Sequence, residues 1–248
     1  MSRAPFAALN ALRRLAAAGL GMLVLTSASS VAAQTDFAAS PSATLPAPWW
    51  RAVNLAPAVP ATQFDVARID AVTALRVRTN RSYGNLVHPW SGAAGTLSWR
   101  WRLEQPLATS NLRTREGDDV ALKVCLMFDL PLQALSFSER TLLSLARARS
   151  GEALPAATLC YIWDTRLPVG TGLANAYSAR LRYLVLNTGA PAPGQWVSHQ
   201  RDVDADFRAA FGHESRITPP VVALLVGGDS DNTAGASIGY VADLILRP

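Results

Sequence analysis

The sequence is defined first by what it has little of. Only two of its 248 residues are cysteine, and only one, Lys123, is lysine. Two cysteines cannot staple a chain this long, which excludes a disulfide scaffold. Low hydrophobicity combined with high charge is missing too. Half the residues are hydrophobic and 17% are charged, which excludes a disordered chain. No apolar run reaches eighteen residues, so no membrane-spanning helix is expected. Of the three histidines, His88, His199 and His213, none stands at zinc-site spacing with another histidine or a cysteine. There is no Gly-x-Ser-x-Gly elbow. No P-loop precedes the single lysine, and Gly170-Thr171-Gly172 lacks the third glycine of a dinucleotide fingerprint, Asn175 standing in its place. The excess of base over acid, 23 against 18, leans on the first 33 residues, which carry Arg3, Arg13 and Arg14 and no acid. The remaining 20 against 18 gives no concentrated basic patch, so a nucleic-acid partner is not expected.

What is present begins with an export signal. A basic start leads into the apolar run 15–25, then into a small-residue site at Val31-Ala32-Ala33 before Gln34. Residues 1–33 are therefore expected to be cleaved, leaving a periplasmic or secreted protein with no membrane span. Residues 34–48, rich in Ala, Ser, Pro and Thr, read as a flexible leader. In an oxidising compartment Cys125 and Cys160, each inside an apolar segment, either bridge or remain two buried thiols.

From Trp49 onward, alternation with a period of two recurs. Leu75 and Val77 alternate with Arg76 and Arg78. Leu97, Trp99, Trp101 and Leu103 alternate with Ser98, Arg100, Arg102 and Glu104. Leu181, Tyr183 and Val185 alternate with Arg180, Arg182 and Leu184. These are half-buried strands. The more continuous apolar runs 120–128, 158–163 and 221–226 read as central strands, and 241–246 as a closing strand. Residues 138–149 have helical spacing with Ser138 as N-cap, and 204–211 read as a short helix stopped by Gly212. Many strands, few helices and no βα alternation predict an all-β fold, a β-sandwich with an inserted helix, forming one domain over 49–248.

Candidate chemistry is sparse. Trp99 and Trp101 share a face with leucines and read as core. Trp49, Trp50 and Trp90 lie among turns and prolines, and read either as exposed stacking surfaces for a ligand or as local packing. The pairs Arg76/Arg78, Arg100/Arg102 and Arg180/Arg182 occupy polar strand faces. They form either a cationic ligand-binding face or an ordinary solvated face balanced by acids. The loop Asp229-Ser230-Asp231-Asn232-Thr233 is the sharpest local pattern. A phosphatase reading fails because no lysine or glutamate follows it. An EF-hand fails because the twelfth position is Tyr240. A structural calcium held by Asp229, Asp231 and Asp243, or a tight Asx turn, are the two readings left. Asp118 and Asp119 read as a charged turn at a strand start, with neighbouring side chains pointing opposite ways.

The series Trp99-Arg100-Trp101-Arg102, Gly117-Asp118-Asp119, Tyr161-Ile162-Trp163, Asn175-Ala176-Tyr177, Trp196, Arg201-Asp202-Val203, Asp206, Phe211-Gly212, the Asp229 loop and Tyr240-Val241-Ala242-Asp243 resembles the exported bacterial proteins of the domain of unknown function 3047 family. The resemblance runs from about Trp49 to the C-terminus and implies no activity. A looser resemblance is to galactose-binding-like jelly rolls, the scaffold of many carbohydrate-binding modules. There an aspartate before an apolar pair, as in Asp243-Leu244-Ile245, helps to hold calcium. Together these readings favour a non-catalytic exported β-sandwich that binds a glycan or other anionic envelope polymer. One alternative is an envelope-glycan hydrolase or lyase with a carboxylate pair drawn from Glu104, Asp118, Asp119, Asp229 and Asp231. Another is a structural envelope protein.

Overall fold

The alternation of apolar side chains with arginine along residues 97–103 has one low-energy outcome, an extended segment with one face in a core and the other in water. The structure, a computed structural model describing residues 33–34, 37, 50–190 and 192–248, contains thirteen strands and two α-helices among those residues. The strands are β1 (Ala33–Gln34), β2 (Arg51–Val53), β3 (Gln63–Ile69), β4 (Val72–Asn80), β5 (Tyr83–Gly92), β6 (Thr96–Gln105), β7 (Leu122–Phe128), β8 (Ala157–Asp164), β9 (Gly172–Ala174), β10 (Leu181–Thr188), β11 (Val197–Asp202), β12 (Val221–Asp229) and β13 (Ala236–Arg247). The helices are α1 (Phe137–Ser150) and α2 (Val203–Phe211).

Two sheets form the sandwich. The first runs β11-β6-β13-β4-β3, with β1 added to β13, and the second runs β2-β5-β12-β7-β8-β10-β9. Pairing between the named strands is antiparallel except between β8 and β10, which are parallel. The core lies between the sheets. Leu75, Val77, Leu97, Trp99, Trp101, Leu103 and Val241 from the first sheet meet Leu122, Val124, Leu126, Phe128, Tyr161 and Trp163 from the second. Trp99 and Trp101 are 2% and 0% exposed, as their alternation predicts. Strands β7 and β8 are buried along nearly their whole length because a second apolar layer covers the outer face of their sheet. Leu112, Val120 and Leu167 from loops pack there on Cys125, Cys160, Ile162 and Tyr183. Cys125 and Cys160 are directly opposed in the β7–β8 register and are bridged by a disulfide.

Both helices form where the spacing places them, with one change of cap. Ser136, not Ser138, caps α1, because Glu139 three residues later returns the bond to the Ser136 N–H and closes a capping box. Gly151 ends the helix in a left-handed turn that a Cβ would strain. Asp202 caps α2 by accepting from the Ala205 N–H at 2.9 Å.

The leader is corrected where it is described. Ala33 and Gln34 pair with Leu246 and Ile245, and Phe37 is buried with its ring 5.9 Å from that of Trp50. Structure therefore starts before Trp49. Trp49 itself and residues 1–32, which hold nearly all of the expected export signal 1–33, lie outside the described residues.

Candidate functional site

The arginine face divides between the two sheets. Arg76 and Arg78 on β4 and Arg100 and Arg102 on β6 flank β13 on the outer side of the first sheet. Each finds an acid there. Asp65 takes Arg76 through two bonds of 3.0 and 2.6 Å and also pairs with Arg78. Asp243 pairs with Arg100, and Asp70 and Glu104 pair with Arg102. Four arginines against four acids leave no net charge among them, and Arg102 and Asp65 are themselves buried, so this side is a balanced ion-pair network rather than an anion platform. Arg180 and Arg182 belong to the second sheet, beside and on β10, and are bound to Glu214, with Arg180 also reaching Glu139 at 2.8 Å. The six arginines therefore do not converge. The reason is topological, since the alternation that sets the face of a strand does not say which sheet the strand joins.

The tryptophan expectation is corrected in part as well. Trp50 is a core residue, 6% exposed and stacked on His88 with ring centroids 5.1 Å apart, so it offers no open face. Trp90 is half-buried against the main core.

The acidic loops converge instead. Lys123, the lone lysine, sits on the outer face of β7, opposite Gly227 of β12. Asp229 lies two residues further along β12 on the same face. Gly227 makes room for the lysine stem, because a Cβ there would stand 3.0 Å from Lys123 Cε and 2.4 Å from Asn85 Oδ1. The Lys123 ammonium donates to Asp229 Oδ1 at 2.7 Å and lies 5.5 Å from the centre of the Tyr83 ring. Lys123 and Asp229 are only 3% and 4% exposed. Burial, the largest influence, pushes the Asp229 carboxyl up to about 6 against the opposing pull of Lys123.

Asp118 and Asp119 come from the loop before β7 and bind different partners. Asp118 accepts from the Asn175 amide and faces the Tyr183 hydroxyl at 3.4 Å, and burial pushes its carboxyl up to about 6. Asp119 receives the Asn232 N–H at 3.1 Å and the Thr233 N–H and hydroxyl at 2.7 and 2.6 Å, which pins the 229–233 loop across more than a hundred residues of chain. The expected charged turn is thus a buried polar lock.

Carboxylate oxygens of Asp119, Asp229 and Asp231 lie within 4.8 Å of one another. Asp119 replaces the expected Asp243, which sits on the other sheet against Arg100. These hard oxygens have the chemistry for calcium, but their surroundings do not fit an ion. Both Asp119 oxygens are already filled by N–H and O–H donors, and the Lys123 ammonium occupies the cationic position beside Asp229. Lysine serves here as the internal counter-ion.

At the open side of this cluster stands Tyr177, 56% exposed. Its hydroxyl lies 3.0 Å from Asn232 Oδ1 and 3.1 Å from the Arg115 carbonyl, and the Arg115 guanidinium lies over its ring at 5.4 Å. Beside it Asp231 is half-buried, and its Oδ1 is enclosed without a hydrogen-bond partner in the protein. The juxtaposition is an anchored, solvent-facing aromatic ring next to an unsatisfied acceptor. The sequence signal for it is the Asn175-Ala176-Tyr177 stretch, in which Asn175 donates to Asp118.

These features define a two-sheet β-sandwich with an internal Lys–Asp cluster opening on an aromatic rim. The chain belongs to the family described as "Protein of unknown function (DUF3047)", whose model matches residues 48–245. Comparison with curated proteins returns no match. Among solved structures, a native family 12 xyloglucanase from Bacillus licheniformis is 9% identical, with a TM-score of 0.44 over 88% of this chain and 100% of that one. A metagenome-derived glycoside hydrolase family 12 endoglucanase is 15% identical, with a TM-score of 0.40 over 84% and 99%. The K2 cleaved adhesin domain of Lys-gingipain is 9% identical, with a TM-score of 0.40 over 88% and 99%. At these identities and TM-scores no residue role carries over to this chain.

Proposed function

We propose that this chain is a non-catalytic, exported β-sandwich that binds a glycan or another envelope polymer at the rim formed by Tyr177, Asp231 and Asn232. The observation that carries the reading is the Tyr177 ring, held open to solvent by its hydroxyl rather than buried. An aromatic face takes the C–H side of a sugar ring, and neighbouring carboxylate and amide oxygens take its hydroxyls. The half-buried Asp231 stands beside the ring as the carboxylate of this rim. The carboxylates favour binding over hydrolysis. Asp118, Asp119 and Asp229 are each less than 5% exposed and committed to internal partners, whereas Glu104 stands on the opposite sheet beside Arg102. A glycosidase needs two carboxyls facing each other across an open cleft.

Affinity electrophoresis through gels containing a panel of soluble envelope polysaccharides tests this reading. Retardation by at least one polymer is expected, and Tyr177→Ala should weaken it up to about tenfold, the equivalent of about 0.5–1.5 kcal/mol for one aromatic contact, with the melting temperature unchanged. Equal retardation of the Tyr177→Ala variant, or none by any polymer, would overturn it.

The reading also takes residues 1–33 as an export signal that is removed. N-terminal sequencing of the protein recovered from the periplasm or medium should begin at Gln34. A chain still beginning at Met1 would refute this.

A further inference from the structure

Helix α1 turns an apolar side outward. Leu143 is its buried residue, whereas Phe137, Leu142 and Leu145 are 78%, 66% and 44% exposed. At about 100° per residue these three fall within a sector of roughly 140°, and Arg149 falls in the same sector. Arg180 bonds both Glu139 in the first turn of α1 and Glu214, which brings the 214–217 segment to that end of the helix. There Ile217 is 79% exposed beside the exposed Arg216.

Charge decides what can cover this surface. The one acid of α1, Glu139, is engaged by Ser136 and Arg180, and Glu214 is engaged by Arg180 and Arg182. Arg140 and Arg149 on the helix, and Arg216 beside it, are exposed and enter no ion pair among the described residues. A second copy docking through the same patch would set arginine against arginine. The chain's own N-terminal segment, with three arginines and no acid, would do the same. The complement must be anionic and must also accept large apolar side chains.

We infer that this side of α1 docks the protein reversibly on an anionic lipid surface. Phe137, Leu142 and Leu145 enter the headgroup–acyl boundary, while Arg149 in the same sector lays its stem along it and Arg140, on the flank about 60° beyond Phe137, reaches lipid phosphates from the edge. Each basic residue near such a surface adds attraction that salt weakens. The proposal is independent of the glycan reading, because Tyr177 and α1 are different surfaces.

The test is co-sedimentation of the mature chain with vesicles of phosphatidylglycerol and phosphatidylcholine in equal parts, against vesicles of phosphatidylcholine alone, at low salt. Binding to the anionic vesicles is expected, at least tenfold above the neutral ones. A Phe137→Ser/Leu142→Ser/Leu145→Ser variant should lose at least tenfold. An Arg140→Glu/Arg149→Glu variant, which leaves the apolar side chains in place, should lose a comparable amount. Circular dichroism checks that both variants are folded, and Tyr177→Ala should bind as the parent does. No binding to anionic vesicles, or undiminished binding by either folded variant, overturns the proposal. Retention of an acidic protein in place of lipid would overturn it too.

Discussion

Trp101→Ala is expected to destabilise the protein by about 3–5 kcal/mol, the range for deleting a large buried aromatic side chain. The indole is fully buried and packs against Trp99, Trp163 and His199, with ring centroids 5.2 to 5.9 Å away. Its N–H donates to Asn187 Oδ1 at 2.9 Å, the same oxygen that His199 Nε2 meets at 2.7 Å. Removing the ring thus opens a cavity and takes away one of the two donors on Asn187. His199 cannot compensate by charging, since burial and the nearby Arg201 hold its imidazole down to about 4, leaving it neutral above that pH. In a domain of this size the loss corresponds to a melting temperature lower by roughly 10 °C. Trp101→Phe should cost clearly less. A Trp101→Ala protein with the parent's melting temperature and no ligand binding would remove Trp101 from the core and place it in a binding site.

The second large effect is at Lys123. Lys123→Met leaves Asp229 buried without its cation, and breaking a buried pair in this way costs about 3–5 kcal/mol. The cost depends on pH, and its sign follows from Asp229. Burial already raises that carboxyl to about 6 with the lysine present, and without the lysine it rises further. A carboxyl whose folded value lies above its unfolded one contributes stability that is full below the unfolded value and is lost as pH rises through the folded one. The variant should therefore be closest to the parent near pH 5, where Asp229 takes up a proton, and furthest from it at pH 8. Denaturant unfolding at both pH values measures the difference. A Lys123→Met/Asp229→Leu double variant, which removes both charges, should recover much of the loss at pH 8. A penalty that does not vary with pH, or a double variant as weak as the single one, would show that the pair is not the neutralised centre described here.

Strand faces were legible because alternation of two is a local property. Leu97, Trp99, Trp101 and Leu103 had to share a side whatever their partners, and they line the core. The continuous apolar runs around Cys125 and Cys160 were legible as central strands for the same reason, although only their register decided that the two cysteines oppose each other and bridge. The helices were legible from spacing and caps. Trp50 was misplaced because proximity to prolines says nothing about what packs over a ring, and here Phe37 and His88 do so.

The candidate site was legible only in pieces. The Asp229 loop stood out in the sequence, but its partners Asp118, Asp119, Lys123 and Tyr177 lie from about 50 to more than 100 residues away. A charge inside the apolar run 120–128 was the one local sign that Lys123 faced a buried counter-charge. Asp243 enters the calcium reading through the resemblance to galactose-binding-like jelly rolls, whereas strand pairing sends it to the outer face of the other sheet.

The sequence by itself determined the class of fold, the faces of its strands, both helices and the burial of Trp99 and Trp101, since each depends on periodicity within about ten residues. The tertiary structure alone decided the disulfide, the separation of the arginines onto two sheets, the lysine that takes the place of a cation and the exposure of Tyr177. These depend on sheet order and register, which long-range packing fixes and no local pattern encodes.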